Sequence, residues 1–468
     1  MKKLLLSTLA VASLFAANNQ SDLQKEIKTL KAQIQKLQKQ VKENRKIALN
    51  ADKKASPFAS NDHLFWKYSL QTNFDFIEYK LQNGDKQTNN ILSNRVALDA
   101  VAQPSDNLKG NLRLVAYNIF GMNTGQANPS YDNSNWTASE TPDDTNLRVQ
   151  EAYFNYFFGD GKYMLSTGRR PSTEGYPANL RDNVRAESPI AHLVNMEFDG
   201  ISFWMKNDFF ADLNDKFSDL GTNLKFCFGR GYSSSTGKFS PTPYGKDNLK
   251  ITDFGGFLLV PYNDGQYSVW WEQIWAWNMK GINNNNTPNN TADDYMDDLG
   301  SLMGTNIIFK ADGIGNEISD FWDDSKAFVS WAYTKTSPKS NKRMLGTNDS
   351  KSGWSIWIGA NFPTLSDEGS DRWGFNFVHG SKYYRAMTWG EDTLIGSIAA
   401  TRGNAYEAYY HHYLLDNLTA GIRATYIKYS YTGSNAFFGD YSTPVKVKDN
   451  PNAIKHAADI RAYIRYSF

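Results

Sequence analysis

Asp459-Ile460-Arg461-Ala462-Tyr463-Ile464-Arg465-Tyr466-Ser467-Phe468, the last ten residues of a 468-residue chain, decide how the rest is read. Taken by twos from the end, they give Phe468, Tyr466, Ile464, Ala462 and Ile460. The residues between are Ser467, Arg465, Tyr463, Arg461 and Asp459. One set is apolar and ends in two aromatics; the other is mostly polar or charged. A period of two puts successive side chains on opposite faces of a strand, so this strand meets a different solvent on each face. Two settings satisfy that pattern: an amphipathic edge strand of a soluble sheet, or a sheet with lipid on one side and water on the other.

The same alternation begins the C-terminal 400 or so residues. Over 64–79, Trp66, Tyr68, Leu70, Thr72, Phe74 and Phe76 share one face, and Lys67, Ser69, Gln71, Asn73 and Asp75 the other. A slip of one residue would put the polar set in the wrong solvent, so the register is strongly determined. Over 90–102, Leu92, Val96, Leu98, Ala100 and Ala102 oppose Ser93, Arg95 and Asp99; over 108–120, Lys109, Asn111 and Arg113 share a face. Further strands are expected near 147–158, 162–170, 194–207, 220–231, 248–260, 265–279, 299–311, 326–336, 353–362, 372–382, 393–402, 405–415, 418–431 and 457–468. Single-chain bacterial barrels have even strand numbers, and this set holds one too many; 248–260 is the candidate for removal. The expected fold is all-β, a transmembrane antiparallel β-barrel of about 16 strands, with 18 as the alternative. It must close, because in lipid every backbone N–H and C=O needs an internal partner. A barrel this wide cannot fill its lumen with wall side chains and holds water or a plug; no globular plug domain is visible.

Composition agrees. Lys plus Arg is 50 against 49 for Asp plus Glu, so no global charge asks for nucleic acid. Mean hydropathy is −0.57, and past the leader no run of about 18 apolar residues exists, which excludes a helical bundle but not a barrel with polar lumen and loops. Aromatics make up 14%, an excess suited to girdles at two membrane interfaces. A single cysteine, Cys227, excludes a disulfide framework, a cysteine metal site and a haem-attachment motif.

Residues 1–16 read as a secretory signal: Lys2 and Lys3, an apolar core from Leu4 to Phe15, and a small residue at Ala16 or Ala17 for cleavage. Residues 20–50 carry Leu23, Ile27, Leu30, Ile34, Leu37 and Val41, spaced 4, 3, 4, 3, 4, with no Gly or Pro between them. That is a heptad seam, expected to form a short self-associating coiled coil in the periplasm. β-branched residues at one seam position with Leu at the other favour two strands, a preference that three barrels would override. Its basic surface suits attachment to peptidoglycan or another envelope partner, or is a solvated helix face. Residues 51–63 are the linker, where Ala55-Ser56-Pro57 breaks the helix, and 64–468 the barrel.

A terminal Phe on an alternating strand resembles the closing strand of a Gram-negative outer-membrane barrel. The resemblance implies that Ile464, Tyr466 and Phe468 form the signal read by the barrel-assembly machinery, with outer-membrane lipid around the wall. Residues 147–193 add a second likeness. Leu147-Arg148-Val149-Gln150-Glu151-Ala152-Tyr153, the turn Phe158-Gly159-Asp160-Gly161 and a strand ending Gly168-Arg169-Arg170-Pro171 resemble the general diffusion porins. In those, an Arg-x-x-Ala-Tyr strand, a glycine turn and a Gly-Arg ending lead into a loop folded into the pore. Here the Arg falls one position early, at Arg148. The stalk-plus-barrel layout also resembles uncharacterised outer-membrane proteins with an N-terminal coiled coil. Such barrels are commonly trimers, so a homotrimer is implied.

On that resemblance, the segment near 171–193 is the constriction, with Arg169, Arg170, Glu174, Arg181, Asp182, Arg185 and Glu187 as its charges. Arg95, Asp99, Lys109 and Arg113 are pore-wall residues, with Arg169 facing the loop beside them. The arginines outnumber the carboxylates in the loop, which favours weak anion preference. The other reading is an outward surface loop.

The run 281–298 holds four aspartates but no recognisable calcium-loop spacing, and is expected to be an outer loop. Six histidines, among them His411-His412 on opposite strand faces, give no chelating pair. Gly-x-Ser-x-Gly and His-Glu-x-x-His are both absent, so neither enzyme, metal nor cofactor is expected. The expected function is passive diffusion of small hydrophilic solutes or ions. The alternative is a structural envelope protein or adhesin, with the barrel as anchor and the coiled coil as the binding part. A barrel sheathing a partner such as an electron carrier is a third.

Overall fold

The computed structural model describes residues 63–120, 147–170, 172–187, 189–196, 198–233, 250–283, 295–315, 318–364, 371–388, 393–434, 436 and 438–468. The expected signal peptide, coiled coil and all but the last residue of the linker lie outside them. Trp66–Phe468 form one compact unit.

Sixteen strands make a closed antiparallel barrel in which each pairs with its chain neighbours and the first with the last. They are β1 (Leu64–Leu81), β2 (Lys86–Ser105), β3 (Leu108–Ile119), β4 (Arg148–Phe158), β5 (Tyr163–Arg170), β6 (Phe198–Met205), β7 (Asn223–Ser233) and β8 (Lys250–Asn263). The other half comprises β9 (Tyr267–Asn283), β10 (Tyr295–Asp312), β11 (Lys326–Pro338), β12 (Ser352–Pro363), β13 (Arg372–Gly380), β14 (Gly403–Leu415), β15 (Leu418–Tyr429) and β16 (Ile454–Ser467). The stretch quoted first closes the sheet. Ile464 faces Thr72 and Tyr466 faces Leu70, and the backbone of Phe468 exchanges two hydrogen bonds of 2.9 Å with Tyr68.

The alternation resolves into two surfaces. Phe74, Phe76, Ile460 and Ile464 point outward and are exposed, as are Trp271, Trp275, Val329, Trp331, Ile307 and Phe309 further round. An apolar, aromatic outer wall on a sheet with no edge is the surface that lipid solvates. On the inner side Gln71, Asn73 and Asp75 are buried. Gln71 donates to Asn73 at 2.6 Å, and Arg461 reaches Asp75 at 2.6 Å and the Tyr117 hydroxyl at 3.2 Å. On the far wall Trp357 donates to Asn376, Asn376 to Glu407, and Thr425 to the other oxygen of Glu407.

The superfluous stretch is 393–402, not 248–260. The latter is β8, paired with β7 and β9. Residues 393–402 lie inside the barrel in tight turns, with Ile395, Ile398, Ala399 and Ala400 buried and Thr393 donating to the Gly396 carbonyl at 2.7 Å. A short apolar run reads as a strand whether it is buried in a sheet or packed on all sides. The aspartate-rich run 281–298 is also partly strand: β9 extends to Asn283, and β10 starts at Tyr295 and includes Asp297 and Asp298. Both aspartates are engaged by lysines, Asp297 by Lys342 and Asp298 by Lys339.

The lumen is therefore partly filled. Residues 172–187, 189–196, 381–388 and 393–402 and the described residues of 430–453 fold inward and bind one another. Met387 N–H donates to the Leu193 carbonyl at 2.8 Å, Asn195 N–H to the Met387 carbonyl at 3.1 Å, and the Tyr384 hydroxyl to the His192 carbonyl at 2.7 Å. Buried Arg402 donates to the carbonyls of Tyr384, Thr432 and Ser442 at 3.0, 2.9 and 2.7 Å. Tyr176, Ile190, Ile395 and Ile398 make an apolar core with wall residues Ile77, Ile308, Phe328, Trp357, Val378, Ile427 and Ala457. Glycine permits the closest approaches: a Cβ on Gly353 would sit 2.0 Å from Tyr384 N, and one on Gly175 1.9 Å from the Pro189 oxygen.

The C-terminal end of the barrel carries the short connections, such as those after β2, β4, β8 and β14. Longer connections there follow β6, with two helices, α1 (Asn207–Leu213) and α2 (Asp215–Leu220), and β10, with a helical turn at Asp320–Asp323.

Candidate functional site

The segment 172–196 leaves β5 and crosses the lumen. Its neck is narrow. Glu187 N–H donates to the Glu174 carbonyl at 3.1 Å, Ala191 N–H to Tyr176 at 3.0 Å and Met196 N–H to Ser172 at 3.2 Å. Residues Ala178–Asp182 form a 3₁₀ turn that ends at Asn183 with φ 48°. Tyr176 meets Phe328 edge-on at 5.6 Å, and the Lys310 ammonium stands 4.9 Å from its ring centroid.

The tip docks on the wall by charge. The Asp182 carboxylate lies 3.7 Å from the Arg423 guanidinium, and its carbonyl accepts from Arg465 at 2.8 Å. Asn183 bonds the Tyr413 hydroxyl. Burial alone would raise the Asp182 carboxyl, but Arg423, Arg181 and Arg465 outweigh it and hold the group well below the usual carboxylate range.

At the neck, Glu174 takes a left-handed backbone, φ 55°, which non-glycine residues adopt at a cost. Its N–H donates to the Asn195 side chain at 3.2 Å. Its carboxylate lies 3.9 Å from Arg95 and 4.0 Å from Arg113. Arg113 also holds Asp99 at 2.6 Å and Glu151 at 2.9 Å. Wall and loop thus meet through an Arg–carboxylate network at the expected residues Arg95, Asp99, Arg113 and Glu174.

Between neck, tip and wall lies a cavity of about 370 Å³. Ser69, Asp416, Asn417 and Ser467 line it at the short-turn end. Its charges are Arg95, Arg113, Arg185, Arg461 and Arg465 against Asp99, Glu174, Asp182, Glu187 and Asp416. Glu187 is raised above its ordinary value, chiefly by burial, with Arg113 and Arg185 opposing and Glu174 adding to the rise.

The remaining expected residues stand apart from this cavity. Arg169 shares the face of Ala152, its partner across the ladder, and lies 4.0 Å from Asp199. Arg170 points inward, donating to the Ser202 hydroxyl at 2.6 Å. Arg181 is buried beside Asp182. Lys109 is on the Arg113 face but does not line the cavity. With three of the four loop arginines elsewhere, the positive excess that favoured anions is gone: the lining arginines and carboxylates balance.

Arg423, Arg461, Arg465 and Glu151 were not singled out from sequence. Their signal was present, since Arg461 and Arg465 occupy the polar alternate positions of the closing strand. What the sequence does not carry is that a loop 283 residues away docks on Arg465, and on Arg423 with it.

His192, at the centre of the plug, has ring nitrogens 2.8 and 2.9 Å from the Ser330 and Ser355 hydroxyls. Burial pushes it down to about 3, so it is a neutral structural group. His411 and His412 do part to opposite faces, one bonding Tyr463 and the other Asp371.

Among solved structures, the chain is similar to the in-vitro folded outer membrane protein OmpT of Vibrio cholerae in its trimer form. Identity is 12%, over 86% of this chain and 99% of that one, with a TM-score of 0.44. OprB of Pseudomonas putida, in a high-pH structure, is 12% identical over 87% and 94%, with a TM-score of 0.48. An anion-selective porin from Comamonas acidovorans is 13% identical over 86% and 99%, with a TM-score of 0.45. The barrel assignment rests on the strand pairing above and not on these likenesses. No curated protein matches the chain. One family model does, over residues 85–468, and by that match the chain belongs to the family described as Protein of unknown function (DUF3373).

Proposed function

We propose that this chain is an outer-membrane channel for passive diffusion of small hydrophilic solutes or ions, with segment 172–196 as its constriction. The observation that carries the reading is the charged cavity of about 370 Å³ between that segment and β1–β3 and β14–β16. Glu174 is held over it by Arg95 and Arg113. A wall that serves only as an anchor has no need of a preorganised ring of opposed charges around water, whereas such a ring sets size and charge selectivity in a pore. The apolar core on the β10–β16 side confines the path to the polar crescent. In this reading the C-terminal Ile464, Tyr466 and Phe468 address the assembly machinery. The heptad at Leu23, Ile27, Leu30, Ile34, Leu37 and Val41 joins three copies in the periplasm and offers a basic surface to peptidoglycan or another envelope partner. No catalytic site is involved.

The test is conductance of the refolded full chain in a planar bilayer under a salt gradient. Steps in groups of three with a small reversal potential are expected. Glu174→Gln, which removes the charge that Arg95 and Arg113 hold, is expected to alter unit conductance. A folded barrel that stays silent overturns the channel and leaves the envelope anchor.

A further inference from the structure

At the short-turn end, the connection after β6 folds back against the outside of the barrel rather than under its lumen. Phe158, Tyr163 and Phe203 share the outward face of Tyr156 and Ile201, both exposed. Tyr163 stacks on Phe158 at 5.3 Å and on Phe203 at 5.8 Å. Phe209 of α1 joins this cluster, 5.5 Å from Tyr163. Backbone bonds fix the hairpin there: Lys206 N–H donates to the Lys162 carbonyl at 2.9 Å, and Asn207 N–H to the Asn223 side chain at 3.1 Å.

Both helices are amphipathic. In α1, Phe209, Phe210 and Leu213 fall on one side, with Asp208 and Asp212 on the other; in α2, Phe217 and Leu220 share a side, with Asp219 opposite Phe217 and Lys216 at the border beside Leu220. Phe210 and Phe217 meet at 6.1 Å, which joins the two apolar sides. Leu213 is nevertheless 64% exposed, and Phe217 and Leu220 37% each. That exposed strip is continuous with the aromatic outer wall of β4–β6.

We propose that α1 and α2 form a foot lying in the phospholipid leaflet at the short-turn end, with Leu213, Phe217 and Leu220 below the headgroups. The inference rests on the membrane-spanning reading of the barrel. Lipid is the occupant because the strip continues a surface that lipid covers and its rings extend the girdle at the boundary. The polar side carries Asp208, Asp212 and Asp219 against Lys216, with Asp212 paired to Lys162, so the fitting headgroup is zwitterionic rather than anionic.

The experiment uses the full chain with Cys227→Ser, reconstituted in phosphatidylethanolamine–phosphatidylcholine vesicles. Single spin labels are placed through Leu213→Cys, Phe217→Cys, Asp208→Cys, Asp219→Cys and, as a wall control, Ile201→Cys. Accessibility to oxygen relative to a water-soluble nickel chelate is expected to be several-fold higher at 213, 217 and 201 than at 208 and 219. Water-like ratios at all four helix sites with a lipid-like ratio at 201 overturn the foot and leave the barrel reading intact. Labels at 213 and 217 shielded from both reagents also overturn it, since protein then covers the strip. A water-like ratio at 201 removes the membrane reading itself.

Discussion

Asp75 and Arg461 hold the seam between the first strand and the last. Their side chains are 0% and 6% exposed, at 2.6 Å. Breaking a buried pair strands a charge, so Asp75→Asn is expected to cost on the order of 3 kcal/mol. It will be read as a lower temperature for loss of the folded band on unheated gels. Asp349→Asn, at an exposed site 3.6 Å from Lys351, will leave that temperature unchanged. Glu187 makes a prediction of opposite kind. It faces Arg113, Arg185, Glu174 and Lys225, and its raised value means that it protonates at a higher pH than a free carboxylate. As pH falls through that value, the balanced lining loses a negative charge, and reversal potentials should move toward anion preference. Glu187→Gln will give that shift at neutral pH and flatten the pH dependence; a shift toward cations would contradict the assignment.

The elements divide into those with a period and those without one. Strands between lipid and lumen were legible because each residue answers to one of two solvents, as in Trp66 through Phe76 against Lys67 through Asp75. The interior segments answer to one solvent or to none. Residues 393–402 bury apolar Ile395, Ile398, Ala399 and Ala400 together with Ser397 and Arg402 and have no second face, and so passed for a strand. The inward course expected near 171–193 is read from its flanking turn and Gly-Arg ending rather than from any pattern of its own. The junction of 172–196 with 381–388 was invisible, because its hydrogen bonds join backbone groups of Leu193, Asn195 and Met387, which carry no side-chain signal. Tyr384 adds a side-chain hydrogen bond to it. Tyr384→Phe leaves the buried His192 carbonyl without this donor, a loss of about 1–3 kcal/mol borne by the plug and not by the sheet. The folded band should persist at its usual temperature while open-level noise increases in single-channel records. Loss of the band would mean that plug and wall unfold as one unit.

At the scale of the molecule, closure followed from the demand that no backbone group face lipid unpaired, and strand number from the count of alternating stretches and the even-number rule. How much of the lumen is water did not follow, because filling depends on which distant residues meet. The interior core draws on Ile77 near the chain's first strand, Ala457 in its last, and Tyr176, Trp357 and Ile395 between. That membership imposes an order of events in time. Contacts so far apart in sequence must await the pairings that bring them together, and such non-local contacts form late. The core has no site to assemble in until β1 has met β16, so assembly is expected to run in two stages, ring first and filling second. Between them stands a closed ring with a wet, unpacked interior. Refolding into detergent should yield sheet circular dichroism and the gel-stable band before a slower fluorescence phase that Trp357→Phe diminishes. For as long as that interval lasts, the nascent barrel is wider inside than the finished one.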